Sequence, residues 1–558
     1  MKIKLFFLFT IICRISNAQS PNWVWAKSSA GSSDDVAKSV DADANGNVFA
    51  VGYFASSSIA FGSNILTNTG SGTNDMFIAK YDAAGNVLWA KSAGGSNEDY
   101  AVSISIDNSG NAYVAGHFKS SSITFGSNTL TNSGPPYGDF FLVKYDASGN
   151  ALWARSASGS TSSDAINAVF ADNSGNIFAT GHFQSASITF GSTTLTNTAS
   201  PNQDIFVVKY GTSGNVVWAK SIGGSDNDVG SSVATDANGN LFASGYFASS
   251  SIAFGSNTLT NASSGTNDMF IAKYDTSGNV VWAKNAGGNN DDYAVSASVD
   301  NSGNAYMAGH FKSISVTFGS NTLTNSGPPY GDLFLVKYDA SGNSLWARSA
   351  SGSTSSDAIN SVAADIFGGV YITGHFQSSS ITFGSATLTN SSSSQEIFVA
   401  RYDGSGNGLW AKSVGNTANN VGNSVSANSA GSVFVGGQFT GSGITFGSTT
   451  LTNSNTGTND LYVAKLAGTE GIEEIGGLNF SIYPNPFFSQ TTIKTDKNLR
   501  DAALTVYNLY GQVVKQIKNI SGQVITLHRD NLPSGLYFIC LTHNNKSFIT
   551  DKLVITDK

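Results

Sequence analysis

Cysteine is almost missing from this chain: Cys13 and Cys540 are the only two in 558 residues. Cys13 lies in an N-terminal stretch with the marks of a leader. Cys540 is then left without a partner for an internal disulfide, and stability has to come from core burial, which a chain of this size can supply. Charge is also scarce, at 12%, while aromatics stand at 11%; this balance excludes a disordered chain and points to an exported β-protein. Helical periodicity is absent after residue 20, and no later apolar run is long enough to span a bilayer. Nucleophile elbow, phosphate loop and zinc-ligand spacing are all missing. Basic residues are few in the main body, where residues 19–466 carry 17 Lys and Arg against 29 Asp and Glu. An acidic body of this kind excludes nucleic acid as the partner.

The leader is short and ordinary. Lys2 and Lys4 precede an apolar run from Leu5 to Cys13, and Ser16-Asn-Ala18 supplies small residues for a cut between Ala18 and Gln19. The run is too short for an anchor, and Ile12 before Cys13 is too bulky for lipoprotein processing. Residues 1–18 are therefore expected to be a signal peptide.

What the chain has in abundance is one repeated stretch. Phe141-Leu-Val-Lys-Tyr-Asp-Ala-Ser-Gly-Asn-Ala-Leu-Trp-Ala-Arg155 sets two apolar runs around a turn. Its Trp recurs at 25, 89, 153, 218, 282, 346 and 410, in steps of 64 or 65. A period of this length is the signature of a repeat architecture. Within one repeat, Tyr100 to Asp107, Ala112 to Phe118, Phe140 to Tyr145 and Ala151 to Arg155 read as four strands joined by Gly, Asn and Pro turns. The first strand is small in every copy, as at Ser103 and Ser105 or Ser424 and Ser426, and the fourth always carries Trp. Small residues suit a crowded hub and Trp suits the rim, which is the wedge of a β-propeller blade.

Seven first strands and seven third strands can be counted, but the Trp strands are offset by one. Trp23-Val-Trp-Ala-Lys27 precedes any blade, and Leu461 to Leu466 has no Trp strand after it. The expectation is a seven-bladed propeller over residues 19–466 that the N-terminal strand closes, leaving no bare sheet edge. Residues 22–214 resemble 215–407, so a three-blade block has been duplicated. The unit, with its Asp before the strand, Phe-x-x-Lys-Tyr-Asp and Ser-Gly-Asn turns, resembles the SBBP-type repeats of bacterial seven-bladed propellers. That resemblance implies a fold and is silent on activity.

After a linker at 467–478 the pattern changes. Phe480-Ser-Ile-Tyr-Pro-Asn-Pro486, Leu504 to Val514, Leu532 to Phe538 and Lys552 to Ile555 read as strands of a small Ig-like β-sandwich over residues 479–558. The landmarks Tyr483, Pro484, Asn485, Pro486, Gly511 and Gly535 resemble the type A C-terminal sorting domain of the type IX secretion system. Asn508 stands where that family often has Asp, and it favours the same turn. The resemblance implies the type IX machinery as partner and a secreted or outer-surface location reached through the periplasm.

Candidate chemistry is thin. His117, His182, His310 and His375 share one Gly-His-Phe place, held elsewhere by Tyr53, Tyr246 and Gln438, and are expected to stand apart around the ring in a structural role. Asp75, Asp139, Asp204, Asp268, Asp332, Glu396 and Asp460, one per blade, are expected to accept backbone N–H bonds in a turn. Acids in the loops leading into the blades (Asp34, Asp35, Glu98, Asp99, Asp164, Asp226, Asp228, Asp291, Asp292, Asp357) are expected on one face, serving either solubility or attraction of a cation or basic partner. Asp41 to Gly46 opens like a calcium loop, but Gly52 stands where the closing Glu belongs. Tyr137 and Tyr330, in twin Gly-Pro-Pro-Tyr-Gly loops, suit a glycan or peptide ligand as well as simple packing. The reading is a non-catalytic, monomeric binding or adhesion scaffold with no cofactor and no metal. A secreted enzyme with its site on the loop face or in the channel, and a structural surface-layer component, stand as alternatives.

Overall fold

The computed structural model describes residues 20–557 except 30, 71, 135–136, 160–163, 328–329, 351, 353–356, 366–367, 429–430, 454, 468–479, 509–512 and 544–545. The signal cleavage residues Ala18 and Gln19 and the sorting-motif Gly511 lie outside the described residues. The chain forms two compact units, Met1–Gly468 and Thr469–Lys558. Every described element is a β-strand.

The first unit is seven antiparallel sheets of four strands each. Blade 1 runs Asp35–Ala42, Val48–Phe54, Asp75–Tyr81 and Val87–Ala93, paired in that order. Blades 2 to 6 repeat the order, beginning at Asp99, Asp164, Asp228, Asp292 and Ala358. The first strands touch one another in turn, and that of blade 7 (Asn420–Ala427) touches that of blade 1. The ring is therefore closed, with the small first strands at its hub. Between the second and third strands each blade adds a two-stranded hairpin, Ser122–Phe125 with Asn128–Thr131 in blade 2. The seventh blade is completed by Trp23–Ser29, which pairs antiparallel with Asp460–Leu466 in the register Trp25 to Lys465 and Lys27 to Val463. The Ala467 N–H donates to the Asn22 carbonyl at 2.8 Å to finish the seam.

Two sets of cross-blade contacts hold the ring. At the hub, a serine of one first strand accepts an N–H from the next blade. Ile104 donates to Ser39 Oγ, Val169 to Ser103, Ala297 to Ser232, Val362 to Ser296, Val425 to Ser361, and Val40 to Ser424, at 3.0–3.3 Å. Blade 3 has Ala168 at this place and no oxygen to offer. Small size thus has a second cause beyond crowding, since serine also occupies a neighbour's N–H that the crowded hub would otherwise leave unpaired.

At the rim, the repeated stretch explains itself. The turn of blade 2, Asp146 to Asn150, sits on Trp89 of blade 1. The Ala147 carbonyl accepts both the Trp89 indole N–H (3.1 Å) and the Lys80 ammonium (3.2 Å). The same double acceptance is made by the carbonyls of Ala83, Thr276, Ala340 and Gly404. Gly149 adopts φ +84 and lies so close that a Cβ there would stand 2.9 Å from the Trp89 ring. Its carboxylate, Asp146 Oδ1, accepts the Ser148 and Asn150 N–H groups and so fixes the turn. Each third-strand Lys also lies over an aromatic ring, Lys80 over Phe49 at 4.7 Å. At the seam between blades 6 and 7 no such turn exists, because blade 7 is closed by two chain segments. Trp410 Nε1 has no hydrogen-bond partner among the described residues.

The second unit is a five-stranded antiparallel sheet. Its long strands Gln490–Tyr507 and Val513–His528 pair through register shifts between Lys494 and Leu504, so the sheet bends over one core that includes Ile493, Leu504, Leu527 and Ile539. The sorting motif ties its two ends. Asn485 Oδ1 accepts the Val554 N–H at 2.8 Å, and the Phe487 N–H donates to the Val554 carbonyl at 3.0 Å. Gly535 pairs with Ile555 where the fourth strand starts, and Tyr483 is 80% exposed.

Removing residues 20–29 should be costly. Trp25 is buried between Tyr81 and Phe434, and losing a buried aromatic of this size costs about 3–5 kcal/mol, a large part of the roughly 5–15 kcal/mol that holds a domain folded. The shortened chain is expected to melt far below the full chain or to aggregate through the bare Asp460–Leu466 edge. A melting temperature within a few degrees of wild type would contradict this.

Candidate functional site on the loop face

The face where first strands begin and second strands end carries a feature that departs from the sevenfold pattern. The penultimate residue of each second strand emerges here. So does the second residue of each first strand, and the two meet across blade boundaries. Tyr53 of blade 1 meets Tyr100 of blade 2 edge-on at 4.8 Å, and Tyr100 meets His117 at 4.9 Å. Half a ring further, Tyr246 meets Tyr293 at 4.8 Å and Tyr293 meets His310 at 5.1 Å. The four histidines stand one to a blade, in blades 2, 3, 5 and 6, and two of them, His117 and His310, join an aromatic belt. The reason is that Tyr100 and Tyr293 bridge the gap between neighbouring blades, which the Gly-His-Phe pattern alone does not reveal. His182 and His375 hold the same place in blades 3 and 6; the charge of His117 disfavours that of His182, and the charge of His375 disfavours that of His310.

The belt histidines are neutral near pH 7. Burial pushes His117, His182, His310 and His375 down to about 4. Burial raises Tyr53 and Tyr246, and it raises Tyr100 to about 12. Lys38 stands 5.6 Å over the Tyr53 ring, and burial lowers it. The Tyr100 hydroxyl accepts from Asn74 Nδ2 at 2.9 Å, and Tyr293 from Asn267 Nδ2 at 3.2 Å. The belts thus offer aromatic planes, ring nitrogens and hydroxyls without a charge for general acid–base work.

The acids of the leading loops do not form one acidic face. Asp35, Asp99, Asp164, Asp228, Asp292 and Asp357 are buried and each accepts a serine hydroxyl, as Ser56 Oγ to Asp35 Oδ2 at 2.9 Å. Asp34 and Asp291 fasten the preceding blade, accepting the Asn459 N–H at 2.8 Å and the Asn267 N–H at 3.1 Å. The acids before the third strands do serve turns: Asp75 accepts from Thr69 N and Oγ1, and Asp139 from Ser133. Residue 454, which holds the matching place for Asp460, lies outside the described residues. Asp43 caps its own turn through the Asn45 and Asn47 N–H groups, and Asp41 accepts from Ile106 N and Ser426 Oγ across two blade junctions. Neither carboxylate is spare for calcium. Among the described residues no group of three acids, histidines or cysteines could hold a metal.

Tyr137 and Tyr330 stand at the same end, 50% and 46% exposed. Their backbones turn through Tyr137 N–H to the Gly134 carbonyl and Tyr330 N–H to the Gly327 carbonyl. Pro135, Pro136, Pro328 and Pro329 lie outside the described residues, and neither tyrosine touches a belt.

Comparison with known proteins bears on the tail most directly: residues 481–556 match the family described as "Secretion system C-terminal sorting domain". The chain is therefore exported to the cell surface or beyond. An uncharacterized WD repeat-containing protein, L264, of Acanthamoeba polyphaga mimivirus is 23% identical over 80% of this chain and 38% of its own length. The regulatory protein FlaEY of Caulobacter vibrioides is 30% identical over 20% of this chain and 12% of its own length. The chain thus spans well under half of either relative. Among solved structures, YCF48 bound to D1 peptide is 9% identical with a TM-score of 0.36, over 81% of this chain and 98% of that one. A fungal alcohol oxidase of the AA5 family in complex with copper is 12% identical with a TM-score of 0.40, over 96% and 100%. Likenesses this weak carry no functional reading.

The loop face makes stability depend on pH with two opposing signs. The histidines, lowered to about 4, contribute stability that is present above about pH 6.5 and lost as pH falls through 4. Asp35 and Asp228, raised to about 7, and Asp99 and Asp292, raised to about 6, contribute stability present below about pH 4 and lost as pH rises through 6 to 7. Replacing all four histidines with Gln removes only the first effect. The variant's melting temperature should therefore fall more steeply between pH 4 and 7 than wild type's. Parallel profiles would show that the histidines are not held neutral.

Proposed function

We propose that the propeller is an exported, non-catalytic binding module whose loop-face belts take a neutral glycan. The observation that carries this reading is the pair of neutral aromatic contacts, Tyr53–Tyr100–His117 and Tyr246–Tyr293–His310. Sugar rings stack their C–H faces on such planes, and the neutral imidazoles and phenols exchange hydrogen bonds with sugar hydroxyls. Duplication supplies two such belts on one disc, so a branched or repeating glycan engages both and gains by linkage. The exposed Tyr137 and Tyr330 stand at the same end and are offered as outer contacts. The sorting domain delivers this face to the cell exterior, where adhesion to polysaccharide is useful.

A glycan array probed with the full chain tests the reading. Wild type should bind a set of neutral glycans. Tyr100→Ala with Tyr293→Ala should abolish that binding, because each change removes the bridge of one belt, while Tyr137→Ala with Tyr330→Ala should weaken it less. Neutral-glycan binding that survives the Tyr100 and Tyr293 changes would place the ligand elsewhere.

A further inference from the structure

A second repeated feature lies on the circumference of the ring, away from the belts. The junctions of blades 1–2, 2–3 and 3–4 each hold the same cavity, of about 360, 320 and 290 Å³. One wall is the basic residue that follows the outer-strand Trp-Ala, Lys91, Arg155 or Lys220. The opposite wall belongs to the next blade: the Gly-Ser of its hairpin and the Gly-Asn of its rim turn. The lining includes a third-strand tyrosine, Tyr145, Tyr210 or Tyr274.

Two observations mark these cavities as built rather than incidental. Tyr274 is 1% exposed, and its hydroxyl has no hydrogen-bond partner among the described residues. A buried hydroxyl left unpaired is costly, and buried polar groups normally find partners. The second observation is where the ring keeps its positive charge. Its body has 17 basic residues against 29 acids, yet a basic side chain follows every outer-strand Trp, from Lys27 to Lys412. Lys91 and Lys220 are exposed. Arg155 donates from Nε to the Gly214 carbonyl at 2.9 Å and from Nη2 to the Ser213 carbonyl at 3.1 Å, which spreads its charge across the junction. Asp146, in the rim turn of blade 2, accepts the Ser148 and Asn150 N–H groups and the Asn150 side-chain amide.

We propose that the rim is a ring of equivalent sites for a carboxylate-bearing polysaccharide. In each groove the Lys or Arg faces the sugar carboxylate, while the tyrosine hydroxyl and the Ser and Asn side chains serve the sugar hydroxyls. One groove holds its sugar weakly. A polymer that reaches several grooves binds each further one at high effective concentration. The junction of blades 6 and 7, where Leu466 replaces the tyrosine, forms no full site.

The test is retention of the full chain on immobilised alginate, with dextran as the neutral polymer. Wild type should be held on alginate at low salt, released by added salt, and not held on dextran. Changing Lys91 and Lys220 together to Gln should weaken alginate binding by roughly 100-fold or more, through lost linkage. Changing Tyr274 to Phe should weaken it as well while leaving or raising the melting temperature, because that unpaired hydroxyl contributes nothing to the fold. The belt variant Tyr100→Ala with Tyr293→Ala should keep its alginate binding, which separates this site from the loop face. No retention on alginate, equal retention on dextran, retention that survives the lysine changes, or retention lost in the belt variant would each overturn the proposal.

Discussion

Six of the seven blades stand on the tryptophan of the blade before them. A rim turn brings a glycine onto the indole face, and in five of the six one carbonyl of that turn accepts both the indole N–H and the ammonium of the third-strand lysine. The contact needs five things at fixed spacing: the Lys before Tyr-Asp, the Asp that caps the turn, the Gly with positive φ, the Asn that answers the Asp, and the Trp. These are the residues of the repeated stretch, and their spacing is the reason it is repeated. Because giver and receiver lie on neighbouring blades, no blade is complete alone. Stability has to be shared around the ring, as in other repeat architectures, and the N-terminal strand that supplies Trp25 to blade 7 also supplies the seat for blade 1 at Gly85.

The hub uses a different device for the same end. Serines on the first strands receive backbone N–H groups from the next blade, at 3.0–3.3 Å in six junctions. Rim and hub together clamp five of the seven junctions at two radii; the junction of blades 3 and 4 lacks the hub serine, and that of blades 6 and 7 lacks the rim turn. Residues that reach across a junction on the loop face, such as Tyr100 and Tyr293, are thereby held on a rigid support. That rigidity is what a binding surface made of aromatic planes requires, since ordering loose side chains would otherwise weaken the ligand's hold.

Much of the fold was legible in the sequence, for a physical reason. The Trp period, the Gly and Asn turns and the one-strand offset are local patterns, and closure by Trp23 to Lys27 follows from counting them; the observed register is Trp25 against Lys465. The sorting landmarks were likewise local, and residues 481–556 match that family. The belts were not legible, because Tyr53, Tyr100 and His117 belong to three strands in two blades and only their meeting creates the feature. Adjacent acids also misled: Asp34 and Asp35 look alike in sequence, yet the strand alternation turns Asp34 outward to Asn459 and buries Asp35 against Ser56. The buried third-strand lysines were missed because nothing local shows that a neighbour's turn will offer them a carbonyl.

The seat of one blade on the next is tested most directly by comparing two glycines of blade 4. Gly278 has φ +81 and a Cβ there would lie 2.9 Å from the Trp218 ring, whereas Gly265 has φ +88 with nothing within 4 Å. Alanine at either position meets the same backbone penalty of about 1–2 kcal/mol. Gly278→Ala should lose about 1–3 kcal/mol more, because the tryptophan must be displaced, and chemical denaturation of the two variants measures the difference. Equal losses at the two positions would contradict the claim that the ring is held by glycine seated on tryptophan.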